Sequence, residues 1–254
     1  MFLEKIVEYK KWEIENRKKK SSILDFNLMN PIEVSFYKQL SKKGISIIAE
    51  VKKASPSKGI IREDFHPIEI AKEYEESSVA AISVLTEKRF FLGDENYLED
   101  ISKLVKIPTL RKDFIIDEFQ IYEAKHLGAA AILLISEILE YKELLKFIEL
   151  AHKLGMDVLC ECHSLDPLKK ILDTPAKIIG INNRDLKTFN VDLNNSLDLR
   201  EHIMKSHIVV SESGIKTRED IVKLERSMID AVLIGETLMR SKSIKNEIKN
   251  LLGE

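Results

Sequence analysis

Glu50, Lys52, Lys112, Glu161 and Glu212 stand at the ends of short apolar runs, where a strand with only a core to fill would have no use for a charge. Alternation along each run decides which way a side chain points. Glu50 and Lys52 fall on one face, with Val51 on the other. Lys112 and Phe114 share a face, leaving Arg111 and Asp113 opposite. Leu159 and Glu161 point inward together, while Cys160 and Cys162 point outward. Two further runs close in Asn182-Asn183-Arg184 and Ser211-Glu212-Ser213-Gly214. Carboxylates and ammonium groups gathered around one low-dielectric mouth would shift one another's titration, as a general acid and a general base require.

Three loops carry a second chemistry. Ser213-Gly214-Ile215 and Gly235-Glu236-Thr237 each follow an apolar run. Loops of that kind bind phosphate through backbone N–H groups and a short helix start. Ser55-Pro56-Ser57-Lys58-Gly59 offers hydroxyl donors and a cation, although by composition alone it is a common surface turn. Together the three point to a phosphorylated small-molecule substrate.

These placements need the runs to be strands of one sheet. ISIIAEVK (45–52), VAAISVLT (79–86), KIPTLRKDF (106–114), AAAILLIS (129–136), MDVLCECH (156–163), KIIGINNR (177–184), HIVVSES (207–213) and DAVLIG (230–235) are strand-length and mostly apolar, as parallel strands covered on both faces are. Helix-period stretches such as PIEIAKEYEESS, DEFQIYEAKHLG, EYKELLKFIELAHKLG and TREDIVKLERS separate them. Pro67 and Pro167 mark helix starts, and Gly128 and Gly155 mark helix ends. Repeated β-then-α units with right-handed crossovers predict an α/β fold, a (β/α)8 TIM barrel. A doubly wound sheet is the rival, but neither GxGxxG nor a Walker A loop occurs. The expected organisation is one domain over 1–254, with an N-terminal helical extension (1–44) and the barrel (45–254). In the extension, Leu3, Ile6, Val7, Lys10 and Ile14 lie at helical spacing, PIEVSFYKQLSKKG (31–44) reads as another helix, and Arg17, Lys18, Lys19 and Lys20 read as a solvated helix end. The whole is expected to cap one end of the barrel.

Composition removes other classes. The chain has 254 residues, with 40 Lys+Arg against 42 Asp+Glu and a net charge of −2, which argues against nucleic-acid and anionic-membrane partners. No apolar run reaches the roughly 18 residues of a membrane span, and MFLEKIVEYKKWEIENRKKK lacks a signal-peptide core. Two cysteines make no disulfide framework, so a cytoplasmic location is expected. No metal and no organic cofactor is expected: Cys160, Cys162 and His163 on a buried strand lack a second ligand pair. His66, His126, His152, His202 and His207 fall away from the mouth, and Trp12 reads as a packing residue. A monomer or weak homo-oligomer is the expected state.

AEVKKASPSKG (49–59), LTEKRFF (85–91), LRKDF (110–114), GINNRDL (180–186), SESGI (211–215) and LIGETLM (233–239) resemble, in order, the blocks of the indole-3-glycerol-phosphate synthases, over nearly the whole chain. The resemblance implies a barrel with an N-terminal helical extension. It also implies ring closure of 1-(2-carboxyphenylamino)-1-deoxyribulose 5-phosphate to indole-3-glycerol phosphate, losing carbon dioxide and water without a cofactor. It makes Lys112 the general acid, Lys52 the holder of the departing carboxylate with a possible share in proton donation, and Glu161 the base of the dehydration. Glu50, Asn182 and Glu212 would orient the lysines and the substrate hydroxyls, with Arg184 a further substrate contact. Ser55, Ser213, Gly214, Gly235 and the backbone of Glu236 would hold the phosphate, with the Glu236 side chain turned outward. Phe91, Phe114, Leu133 and Leu233 would wall the aromatic ring. Leu92 and Cys162 depart from the family's usual polar and aliphatic residues at those places. Other readings are a sugar-phosphate isomerase of a related pathway, a Schiff-base aldolase using Lys112, and a non-catalytic barrel used for protein interaction.

Overall fold

The computed structural model describes residues 2–185 and 188–254. Leu186, the last residue of the GINNRDL block, lies outside them. Eight parallel strands form a closed barrel: β1 (Ser46–Val51), β2 (Ala81–Leu85), β3 (Thr109–Lys112), β4 (Ala131–Ile135), β5 (Asp157–Cys162), β6 (Ile178–Asn182), β7 (Ile208–Glu212) and β8 (Ala231–Ile234). Each strand pairs with its neighbours in sequence, and β8 closes on β1, with Ser46 opposite Ala231 and Ala49 opposite Ile234. The expected barrel and all eight of its strands are therefore found.

The helices in chain order are α1 (Phe2–Lys18), α2 (Phe36–Leu40), α3 (Pro67–Glu76), α4 (Glu95–Leu104), α5 (Glu118–His126), α6 (Tyr141–Lys153), α7 (Leu165–Leu172), α8 (Asn194–Arg200), α9 (Arg218–Arg226), α10 (Glu236–Arg240) and α11 (Ile244–Leu252). Their starts follow from local chemistry. Asp94 and Asp117 accept a backbone N–H from the first turns of α4 and α5, and Thr217 with Asp220 forms a capping box on α9. Pro67 opens α3, while Gly128 (φ 83°) and Gly155 (φ 80°) take the left-handed conformation just beyond α5 and α6. Outward strand residues such as Val51, Val84, Ile132 and Cys160 pack on the helices. Inward ones such as Ile48, Leu110, Leu159 and Val210 fill the barrel.

The extension is not a cap over one end; it divides between both. In 31–44 only Phe36–Leu40 is helical. Ser35 caps that helix through Lys38 N–H, and Asp157, the first residue of β5, accepts from Ser35 Oγ and Tyr37 N–H at 2.9 Å each. This anchoring at the amino-terminal end of the strands fixes where the helix begins, after the stretch led by Pro31. Phe36 and Leu40, at 0% and 1% exposure, plug the barrel floor. The other piece, α1, lies at the opposite end and puts Phe2, Leu3 and Ile6 beside a cavity at the carboxyl-terminal ends of the strands. Its basic end is not simply solvated. Arg17 pairs with Glu95 and Glu123, and Lys18 with Asp117 at 2.6 Å.

Truncation should separate the two pieces. Deleting residues 1–20 should leave a folded barrel, because water then reaches the carboxylates that α1 had covered. Deleting 1–40 exposes the floor and removes two large buried side chains worth about 1.5–3 kcal/mol each, out of a typical total of about 5–15 kcal/mol. Thermal melts should show a cooperative transition for the first protein and a lost or much lowered one for the second.

Candidate active site

Strand register brings the charges together. Asn182 lies opposite Glu212, Lys112 opposite Leu85, and Glu161 between Ile135 and Gly180. Lys112 Nζ stands 3.1 Å from Glu161 Oε2 and 3.4 Å from Glu212 Oε2. Asn182 Nδ2 donates to Glu161 Oε1 at 3.1 Å, and Asn182 Oδ1 accepts from Ser213 Oγ at 2.9 Å and Arg184 N–H at 3.0 Å. Lys52 pairs with Glu50 across one residue of β1, as alternation predicts.

The electrostatics give the three central groups different states. Burial works to remove the Lys112 proton, but Glu161, Glu212 and Glu50 outweigh it and hold the ammonium above the ordinary lysine range. Burial also opposes the charge on Glu161, yet Lys112 and the Asn182 hydrogen bond pull its carboxyl below the usual value. Glu212 goes the other way. Burial, reinforced by Glu161 and Glu50 against the pull of Lys112, pushes it up to about 8. At neutral pH these three groups thus form one ammonium, one carboxylate and one neutral carboxyl side by side, with proton donor and acceptor already differentiated.

Two glycines make room for these groups. A Cβ on Gly180 would run into the Glu212 carboxylate, and one on Gly235 into the Glu50 carboxylate and Lys52 Nζ. Neither has a positive φ, so close approach and not backbone conformation requires them. Sequence reasoning gave Gly235 to the phosphate alone and missed this second demand.

The candidate residues all border one cavity of about 710 Å³: Glu50, Lys52, Ser55, Phe91, Lys112, Phe114, Leu133, Glu161, Asn182, Arg184, Glu212, Ser213, Gly214, Leu233, Gly235 and Glu236. Phe91 and Phe114 face each other at 6.0 Å. On the opposite side, Ser213 (φ 69°) and Gly214 (φ 88°) are both left-handed, which turns the backbone after β7 sharply. The Thr237 hydroxyl donates to Ile215 O at 2.7 Å and ties that loop to the one after β8. Ala54–Ser55 and Gly59–Ile60 pair as a small antiparallel ribbon, so SPSKG is a hairpin tip, joined to Arg184 through Ser57 Oγ at 3.3 Å. Glu236 begins α10, and its carboxylate accepts from Arg240 Nε at 3.0 Å, one turn along.

Several lining residues were not foreseen. Phe2, Leu3 and Ile6 come from α1, Phe189, Val191 and Leu193 from the segment after β6, and Lys216 and Arg240 from beside the phosphate loops. Cys160 and Cys162 are fully buried, and burial alone pushes the Cys160 thiol up to about 12. His163 Nδ1 bonds to Asn182 O at 2.7 Å, so the Cys-x-Cys-His run serves packing and positioning. Trp12 is 59% exposed and packs beside Tyr9 at 5.4 Å. Leu92 is 41% exposed with φ 53°, a conformation that Asn adopts more readily than Leu, so a polar residue there has a backbone reason.

The family model for indole-3-glycerol phosphate synthase matches residues 3–251. The indole-3-glycerol phosphate synthase of Alkaliphilus metalliredigens is 51% identical over 257 aligned positions, covering 99% of this chain and 98% of the relative. That of Thermoanaerobacter pseudethanolicus is 53% identical over 244 positions, covering 94% and 93%. Among solved structures, a 3-hexulose-6-phosphate synthase superposes with a TM-score of 0.66 at 13% identity, covering 82% of this chain and 99% of that one. A tryptophan synthase complex from Pyrococcus furiosus gives 0.61 at 17%, covering 82% and 98%. At such identities these two likenesses concern the fold alone.

Proposed function

Because the chain belongs to the indole-3-glycerol phosphate synthase family, we propose the roles that its own residues take in that family's reaction. The reaction is a carbon–carbon lyase step of tryptophan biosynthesis. A new bond joins the substrate's aromatic carbon to the ribulose carbonyl carbon; carbon dioxide and water then leave, and the indole ring is aromatic. Lys112 is the general acid on the carbonyl oxygen. A Schiff-base lysine must first be neutral, whereas the Glu161 carboxylate beside Lys112 keeps it charged, which favours proton donation. Glu161, held ionised by Lys112 and Asn182, is the base of the dehydration. Lys52 holds the departing carboxylate, and its pairing with Glu50 keeps it extended into the cavity.

Asn182 and Glu212 align the acid and base and bond the substrate hydroxyls, and Arg184, held by Ser57 Oγ and Phe189 O at the cavity's edge, is a further substrate contact. The phosphate sits against Ser55, Ser213, Gly214, Gly235 and the N–H of Glu236, whose carboxylate is drawn off by Arg240. Phe91, Phe114, Leu133 and Leu233 cover the aromatic ring. The observation that carries this assignment is Lys112 Nζ lying between Glu161 and Glu212 on the inner face of the barrel mouth. Mixing the purified protein with the carboxyphenylamino deoxyribulose phosphate should produce indole fluorescence together with one carbon dioxide per turnover. Absence of both would refute the reading.

The titration of Glu212 adds a pH signature. Below about 8 its carboxyl is neutral; above, it becomes a second anion against Lys112 and holds the lysine's proton more tightly. The acid weakens, so kcat should decline as pH rises through that range. Glu212→Gln fixes the neutral state and should flatten this limb. A limb unchanged in Glu212→Gln would assign it to another group.

A further inference from the structure

The extension buries a lysine that catalysis does not use. Lys10, on α1, is 1% exposed, and a buried ammonium persists only where it is paired. Its Nζ lies 2.9 Å from Asp113 Oδ1 and 2.8 Å from Glu13 Oε2. Burial opposes its charge, yet Asp113 and Glu13 outweigh that and raise its pKa. Asp113 is the residue between Lys112 and Phe114, on the outward face. It also accepts from Thr86 Oγ1 at 2.7 Å and from Phe114 N–H at 2.8 Å. Seven residues along, on the same helical face, Arg17 joins Glu95 and Glu123, and Glu123 in turn holds Arg111 at 2.8 Å. Two cations thus fix α1 against β3, α4 and α5.

The amino-terminal end of the same helix supplies part of the cavity wall. Leu3 and Ile6 lie seven and four residues before Lys10 and border the cavity that Lys112 and Glu161 also line. An apolar stripe by itself sets no fixed position along the helix axis, because many packings bury similar area. A buried charge pair favours one position, since displacing α1 parts Lys10 from Asp113 out of water and leaves each ion a single oppositely charged partner, Glu13 for Lys10 and Arg111, at 3.4 Å, for Asp113. We propose that the Lys10–Asp113 pair is a latch that fixes α1 so that Leu3 and Ile6 close on the bound substrate, making Lys10 a positioning residue for substrate affinity. The inference rests on the lyase reading of the cavity. It goes beyond that reading in assigning the affinity to a residue outside substrate contact.

The test is steady-state kinetics on the full-length protein with the carboxyphenylamino deoxyribulose phosphate. Wild-type turnover, measured first, carries the lyase reading; the KM values of the variants carry the latch. Lys10→Met should raise KM about tenfold, the effect of losing a partly buried apolar wall, with kcat within about threefold. If the loss of one of the two cations beside Asp113 destabilises that protein, Lys10→Met/Asp113→Asn removes both latch charges and should show the same KM rise. Leu3→Ala should raise KM severalfold in the wild-type background and add nothing in either latchless one. An unchanged KM in a folded latchless protein would overturn the latch. So would a fall in kcat without a rise in KM, or a Leu3→Ala effect that multiplies undiminished.

Discussion

Lys112→Met should lower kcat by about 10²–10⁴-fold while KM stays within a few-fold, the usual contribution of a positioned acid. Methionine keeps the apolar length of the side chain and removes only the donor. The loss has two parts. The carbonyl oxygen has no proton source as the ring closes, and Glu161 and Glu212 lose the cation that lets one of them stay ionised. The second part makes a further result expected: Glu161 should become harder to ionise, so residual activity should rise with pH on the acid side where the wild type is flat. Glu161→Gln should cost kcat to a similar degree, and the double variant little more, because acid and base act as one unit. Turnover close to wild type in Lys112→Met would transfer the acid's role to Lys52, a second lysine at the strand ends that borders the cavity.

The barrel was readable because each strand is covered on both faces, so burial alone marks it. ISIIAEVK or AAAILLIS needs no partner to be recognised, and β1 and β4 fall inside those runs. The charged ends were readable for the converse reason, since Glu50, Glu161 and Glu212 interrupt an apolar pattern that nothing structural asks them to interrupt. The extension shows where this logic stops. Phe36 and Leu40 look like any amphipathic helix, and only the position of Asp157 decides that they seal the floor. Lys10 falls within an otherwise apolar stripe and gives no local sign of its partner, which is 103 positions away. Phe2, Phe90 and Phe189 meet edge to face across three separate segments, at 5.4 Å for each pair with Phe2. Contacts of that kind depend on how closed elements dock, and no window of sequence contains them.

Gly235→Ala should lower kcat by about 10²-fold and barely change the melting temperature. The atoms a Cβ would displace are the Glu50 carboxylate and Lys52 Nζ, the free ends of two flexible side chains. Such ends can swing aside at little cost to folding. The displacement instead falls on catalysis, where a misplacement of about 1 Å can cost about 10²-fold. Gly235→Val should do the same more severely, and its bulk should also disturb the N–H of Glu236 and raise KM. Glu236→Ala is the control: its carboxylate is already engaged by Arg240 and its N–H survives, so KM should be similar or lower. Gly180→Ala should imitate Gly235→Ala through Glu212, with Leu159 Cδ1 at 3.2 Å limiting how far it can yield. The split between kcat and KM decides the matter. If Gly235→Ala raises KM and spares kcat, the glycine serves only the approach of the phosphate, and the space it leaves for Glu50 and Lys52 is incidental.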